Sequence, residues 1–280
     1  MSARSAVSAI TGGWPGDPAA RDAVLRLAED REAIVREIAP TALAHGWPGD
    51  PAGRSTVLRL AEDRKAIVRE IVPAALGRGW PGDPAARDAV LRLADDSHAG
   101  TRCGVASALA QGWPGDPAAL RAVLESADDP EQQVRRAAAS ALAQGWPGDP
   151  AGHRAVLRLA DDGRPQVRRF AATALARGWP DEPRTRVVVL GLADDPVPVV
   201  RRNAASALGQ GWPGDAGALD VLLALARDRE PEVRESAAVA LVTGWPGDSA
   251  ANHAVQRLGV DRVRAVRWAT ATALRKRGGT

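Results

Sequence analysis

Apolar side chains recur along this chain with a helical rhythm that restarts at a fixed interval. Within one interval, Val156, Leu157 and Leu159 form an apolar stripe that Ala160 extends. A second stripe follows, Val167, Ala171, Ala174 and Leu175, at i, i+4, i+7 and i+8, which is one face of a helix. The pattern predicts two short helices. Asp149 is placed to cap the first, because its carboxylate accepts first-turn N–H groups, and Pro150 suits the position after the cap. Asp161-Asp162-Gly163 breaks the first helix and Pro165 opens the second. Gly178 is a natural left-handed residue to end it, with Trp179 folding back on the last turn. Helices of about 12 residues are too short to stand alone, so stability has to come from stacking on neighbours.

Tryptophan supplies the ruler. Trp14, Trp47, Trp80, Trp113, Trp146, Trp179, Trp212 and Trp245 are each 33 residues apart, and only Trp268 is out of phase. Gly precedes each of the eight and Pro follows each. Sixteen residues on stands Asp (Asp30 through Asp261), twenty-two on Arg (Arg36 through Arg267) and twenty-nine on Leu (Leu43 through Leu274). The chain therefore reads as one all-α array of about eight 33-residue helix-turn-helix units at 14–46, 47–79, 80–112, 113–145, 146–178, 179–211, 212–244 and 245–277. Residues 1–13 fit a leading half unit. The expected fold is a right-handed α-solenoid.

Departures from the consensus are local. The second-helix pattern is weakest at Thr101-Arg-Cys-Gly104, Glu182 stands where the capping Asp belongs, and Ala216 and Ser249 replace the proline after it. Pro40 and Pro73 fall inside predicted second helices. An interior proline costs about 3 kcal/mol unless the helix kinks, so bending is expected at both.

Two column sets read as structural. The Asp and Arg columns form a ladder, represented by Asp129, Arg135, Asp162, Arg168, Asp195 and Arg201, in which each Arg pairs with an Asp of its own or the next unit. The indoles, represented by Trp113, Trp146, Trp179 and Trp212, cover the joints between units, since Gly-Trp-Pro-Gly-Asp-Pro is rich in turn chemistry. The competing readings are a row of arginines for phosphates and an aromatic edge for sugars or bases.

Composition narrows the function. The 280 residues carry 37 basic and 34 acidic side chains, for a net charge of +3, so the surface is a mixture of ion pairs and not a polycation. Lysine occurs only at Lys65 and Lys276; with abundant Ala, Gly and Pro, this fits a GC-rich gene and weakens the arginine excess as a functional signal. No apolar run spans a membrane and no secretory signal opens the chain. The lone cysteine, Cys103, fits a reducing cytoplasm and reads as a plain thiol. His45, His98, His153 and His253 occupy different repeat positions, so no ligand pair forms on one helix. The paired acids, such as Asp161-Asp162, recur at turns and read as caps. No phosphate-binding Gly-rich loop occurs. We therefore expect no catalytic residues, no metal site and no cofactor.

The segments Asp129-Pro-Glu-Gln-Gln-Val-Arg-Arg-Ala-Ala-Ala-Ser-Ala-Leu-Ala143 and Asp162-Gly-Arg-Pro-Gln-Val-Arg-Arg-Phe-Ala-Ala-Thr-Ala-Leu-Ala176, with Asp and Arg six residues apart, resemble the HEAT repeat in its short bacterial form, sometimes called PBS-lyase-like. The Thr-Pro-Leu-His motif of ankyrin repeats is absent, and the tetratricopeptide pattern needs aromatics that a chain with no Tyr and one Phe cannot supply. The resemblance runs from about Trp14 to Leu274. It implies that the second helices line the concave side and that the work is binding. It also brings in a bilin-lyase-like accessory role, and the recognition arm of a larger multidomain protein.

Function should reside where the units differ. On the second helix the positions 20, 23 and 27 residues after the ruler Trp face away from the buried columns. There the chain places Glu37 and Glu70 at one end, Gln133, Arg136, Gln166, Arg169 and Arg202 in the middle and Glu235 beyond, with Phe170 and Asn203 beside the arginines. At a helix spacing of about 10 Å, Arg136, Arg169 and Arg202 would span about 20 Å. We expect a non-catalytic scaffold for a protein or peptide of acidic character. Nucleic acid is the alternative ligand, and self-association end to end is a further expectation because neither end shows a polar capping repeat.

Overall fold

Short helices begin where an aspartate can cap them. The computed structural model describes residues 16–278 and divides into two compact units, Met1–Trp146 and Pro147–Thr280. Trp14 and the half unit at 1–13 lie outside the described residues. The first unit contains α1 (Pro18–Leu27), α2 (Ala33–Arg36), α3 (Ile38–Gly46), α4 (Pro51–Leu60), α5 (Ala66–Gly79), α6 (Pro84–Arg92), α7 (Ala99–Gly112), α8 (Pro117–Ser126) and α9 (Gln132–Gly145), with a 3-10 turn at Leu93–Asp95. The second contains α10 (Pro150–Leu159), α11 (Pro165–Gly178), α12 (Pro183–Leu192), α13 (Pro198–Gly211), α14 (Ala216–Leu225), α15 (Pro231–Gly244), α16 (Ser249–Gly259) and α17 (Arg264–Gly278). No strand occurs among the described residues. Each unit is a stack of helix pairs, an α-solenoid in which every repeat contributes a short first helix and a longer second one.

The Asp149 carboxylate accepts from the N–H groups of Ala151 and Gly152, both at 2.8 Å, and Pro150 opens α10. The cap survives at Asp215 and Asp248, where Ala216 and Ser249 follow in place of proline. Glu182 makes no side-chain cap bond; its extra methylene carries the carboxylate past the N–H groups an aspartate reaches.

The Leu column is the axis of the core. Leu43, Leu76, Leu109, Leu142, Leu175 and Leu208 are fully buried. Successive second helices pack on each other far more extensively than successive first helices do. The reason is the column of Gly and Ala between them. A Cβ on Gly77 would lie 2.9 Å from the Ala108 carbonyl oxygen, and one on Gly112 would lie 2.9 Å from Gly77 Cα. At Gly77 and Gly112 the second helices therefore touch backbone to backbone, with no room for a side chain.

Two expectations need correction. Gly178 is not a left-handed residue: it is the last residue of α11, and Trp179 is the cap at φ −144°. The positive φ belongs to the glycine two residues after the ruler Trp, as at Gly49 (φ 80°). Trp47-Pro48-Gly49-Asp50 closes a type II turn, with Asp50 N–H donating to the Trp47 carbonyl at 3.2 Å. The glycine before the Trp serves close approach: a Cβ on Gly145 would sit 3.0 Å from Ala110 Cα.

The two prolines also part company. Near Pro40 the second helix of its repeat is split into α2 and α3 around Glu37. Pro40 has no N–H to offer the carbonyl four residues earlier and its ring crowds that carbonyl. Pro73 lies inside α5, which runs unbroken.

Candidate interaction surface

The joints between repeats are built first from Arg and Asp. Arg168 Nε and Nη2 donate to the two Asp195 oxygens at 2.7 and 2.9 Å, while Nη1 donates to the Asp162 carbonyl at 2.9 Å. The same fork joins Arg36 to Asp63, Arg69 to Asp96, Arg102 to Asp129, Arg201 to Asp228 and Arg234 to Asp261. In every case the Arg reaches the carboxylate of the next repeat and the backbone carbonyl of its own. One oxygen of each Asp also accepts the N–H two residues on, as Val197 to Asp195 at 2.9 Å.

This geometry shifts the carboxylates. The Arg36, Arg69 and Arg234 hydrogen bonds are the strongest influence on Asp63, Asp96 and Asp261 and hold their pKa values below the ordinary range. At Asp129, Asp195 and Asp228 burial is the largest single influence and pushes upward. The guanidinium, the backbone N–H and nearby positive charge together outweigh it, and the net direction is again down.

The tryptophans complete the joints. Trp47, Trp80, Trp113 and Trp179 are buried, and their indole N–H groups donate to the carbonyls of the capping Asp17, Asp50, Asp83 and Asp149 at 3.0–3.2 Å. Trp212 donates instead to the Pro180 carbonyl at 2.9 Å. Trp146 is buried with its indole nitrogen unpartnered. Rings so enclosed offer no stacking edge to a sugar or base.

A second ladder on the first helices escaped the sequence reading. Arg87 donates to Asp116 at 2.9 Å and Arg186 to Asp215 at 2.6 Å; Arg21 meets Asp50 and Arg54 meets Asp83 in the same way. The signal was present: Arg stands seven residues after the ruler Trp in four repeats, and the capping Asp three residues after it. In one repeat that Arg is His153, which stacks on Trp179 (5.7 Å between centroids), with Nε2 2.7 Å from the Thr185 hydroxyl.

What remains exposed on the second helices is variable. In the first unit Gln133 is exposed and Glu70, Cys103 and Arg136 are half-buried. Glu37 departs from expectation: it lies at the break between α2 and α3 and is only 6% exposed, so it presents no surface carboxylate. In the second unit Gln166 and Glu232 are exposed and Arg169, Arg202 and Glu235 are half-buried. Arg169 lies over the Phe170 ring at 4.7 Å, and Asn203 donates to the Arg169 carbonyl at 3.4 Å. Trp268, on α17, is 65% exposed.

Among the described residues no three His, Cys, Asp or Glu side chains are grouped to hold a metal, and no helix is long and apolar enough to cross a membrane. Cys103 is a free thiol whose pKa burial pushes up.

Tandem helix pairs joined by repeated Arg–Asp forks and a shared leucine seam define an α-helical repeat protein. The chain belongs to the HEAT repeats, whose family model matches residues 55–143 and 153–242. No curated protein matches its sequence. Among solved structures, the fold is similar to that of the E. coli protein YibA, with 20% identity and a TM-score of 0.62 over 99% of this chain and 97% of that one. It is also similar to a chain in a homology model of the full-length AP-3 complex in an intermediate open conformation, with 14% identity and a TM-score of 0.71. That match covers 97% of this chain but 54% of the other, so this chain spans about half its length.

Proposed function

We propose that the chain is a non-catalytic scaffold, one continuous repeat array working in the cytoplasm, that holds an acidic protein or peptide on its second-helix, concave face. One observation carries this reading. The residues that recur in every repeat build the joints, whereas the second-helix positions turned away from the leucine seam change from repeat to repeat and place arginine at Arg136 in the first unit and at Arg169 and Arg202 in the second. Gln133 in the first unit and Gln166 and Asn203 in the second add neutral hydrogen-bonding groups, Phe170 an apolar contact, and Glu70 and Glu235 carry charge that discourages a mispositioned ligand. A rigid repeat surface binds with little ordering cost, which suits recognition without chemistry.

The test is affinity capture with the wild type and with Arg136→Glu/Arg169→Glu/Arg202→Glu. The expected result is a set of proteins retained by the wild type and lost by the triple variant, whose helical circular dichroism stays native. Identical capture by the two proteins would overturn the reading.

A further inference from the structure

The first-helix surface also departs from the repeat, and in α12 three of its positions change together. Five residues after the ruler Trp six repeats place Ala, but α12 places Arg184. At the eighth position, elsewhere Asp, Ser, Arg or His, α12 places Val187, which is 64% exposed. At the twelfth position five repeats place Arg, and α12 has Gly191, beside which a Cβ would meet nothing within 4 Å. A long side chain is missing from a surface where the repeat normally supplies one.

The space left is an open cleft of about 650 Å³ between α10 and α12. Leu157, Val188 and Leu192 form an apolar floor. Arg154 and Arg184, both exposed, stand on the rim with Arg158, and one carboxylate, Asp161, lies at the end of the cleft. Neither Arg154 nor Arg184 makes an ion pair or side-chain hydrogen bond among the described residues. The lining therefore carries three arginines against one carboxylate, an excess of positive charge over an apolar floor.

The geometry points to a second docking site here, for an acidic peptide segment that sets a bulky apolar side chain on the floor between carboxylates that reach the rim. The charge complementarity selects the occupant. Carboxylates pair with Arg154 and Arg184 at the edge, where water still screens them, while the buried apolar anchor supplies most of the affinity. A sugar–phosphate strand would leave the floor uncovered. The site shares no residue with the second-helix face.

The test uses the full chain and a fluorescent peptide of Glu and Asp around a central Leu-Phe pair, with a Gln/Asn version as control, read by anisotropy. The expected result is saturable binding of the acidic peptide alone, weakened by salt, and weakened at least about tenfold in Arg154→Glu/Arg184→Glu. Gly191→Glu gives a second variant. The fourth repeat already carries Glu125 at this position, so the fold tolerates it, and it should fill the cleft and lower affinity as much. Arg169→Glu/Arg202→Glu, on the other face, should leave this binding intact. The site is overturned by absence of saturable binding, by unchanged affinity in both cleft variants, by loss in the Arg169/Arg202 variant instead, or by binding only to vesicles of anionic lipid.

Discussion

Arg168 holds Asp195, 27 positions later in sequence, with two parallel hydrogen bonds of 2.7 and 2.9 Å, and fixes its own orientation by a third to the Asp162 carbonyl. The fork is planar and two-pronged, which a lysine cannot reproduce. Both partners are nearly enclosed: their side chains are 15% and 6% exposed. Removing the Arg leaves a carboxylate largely out of water with only one backbone donor. Arg168→Ala should therefore cost about 2–3 kcal/mol, and Arg168→Lys a large part of that. Urea denaturation followed by circular dichroism measures both; a loss below about 0.5 kcal/mol for the alanine variant would show the fork to be incidental.

Acid should dismantle the ladder. The folded pKa values of Asp63, Asp96, Asp129, Asp195, Asp228 and Asp261 lie below the ordinary carboxylate value. A group of this kind contributes stability that is fully present above its unfolded pKa, about 3.9, and is lost as pH falls through the folded value. The expected melting temperature is level from pH 7 to about 5 and falls steeply below about 4. Asp195→Asn should melt lower at pH 7 and show a shallower acid limb. Parallel acid limbs in the two proteins would assign the acid loss to other groups.

Much of this arrangement was legible in the sequence because a repeat displays its own columns. The Leu seam, the capping aspartates and the Asp–Arg ladder recur in register and can be read without coordinates. The Arg87–Asp116 class of pair could not be read so easily: its 29-residue separation joins unlike positions of adjacent repeats, and half the repeats substitute Leu, His or Asn for the Arg. The role of the glycine before each Trp was also hidden. A sequence marks glycine as conformationally free, but here its lack of a side chain matters, because the neighbouring helix backbone lies against it. Pro40 and Pro73 occupy the same repeat position after the same Ala-Ile-Val-Arg-Glu-Ile run, yet one second helix is split and the other continuous. The cleft between α10 and α12 needs two helices side by side before Gly191 reads as a gap.

The third repeat carries an internal fault. Seven repeats place Val at the twenty-first position after the ruler Trp, and this one places Thr101. Thr101 is fully buried and its hydroxyl has no hydrogen-bond partner. An unsatisfied buried hydroxyl costs about 1–2 kcal/mol, and valine has the same shape without it. Thr101→Val should stabilise the protein by about that amount, visible as a higher denaturation midpoint at unchanged slope. A destabilised variant would mean that the hydroxyl is satisfied by a group such as a bound water.

Repeat six lacks a helix cap. Glu182 adopts the extended backbone of a capping residue (φ −81°, ψ 117°) but its side chain makes no bond to the first turn of α12. Shortening it by one methylene restores the reach seen at Asp149. Glu182→Asp should gain about 0.5–1 kcal/mol, and amide exchange at Arg184 should slow; the Thr185 N–H already donates to the Glu182 carbonyl at 2.9 Å. Unchanged exchange at Arg184 would show that the first turn is already held by other groups.

Arg201 and Arg202 are neighbours in α13 with opposite surroundings. Arg201 is 8% exposed and grips both Asp228 oxygens and the Asp195 carbonyl. Arg202, one residue on and rotated by about 100° around the helix, makes no hydrogen bond or ion pair among the described residues. Charge reversal should separate the two. Arg201→Glu sets two carboxylates against each other in a nearly dry joint and should cost about 3–5 kcal/mol. Arg202→Glu removes nothing from the joint, so its effect on stability should stay within about 0.5 kcal/mol, while partner capture on the second-helix face falls. Denaturation and capture measured on the same two variants test the assignment. If Arg202→Glu unfolds the protein as readily as Arg201→Glu, Arg202 belongs to the architecture, and the binding face lies elsewhere.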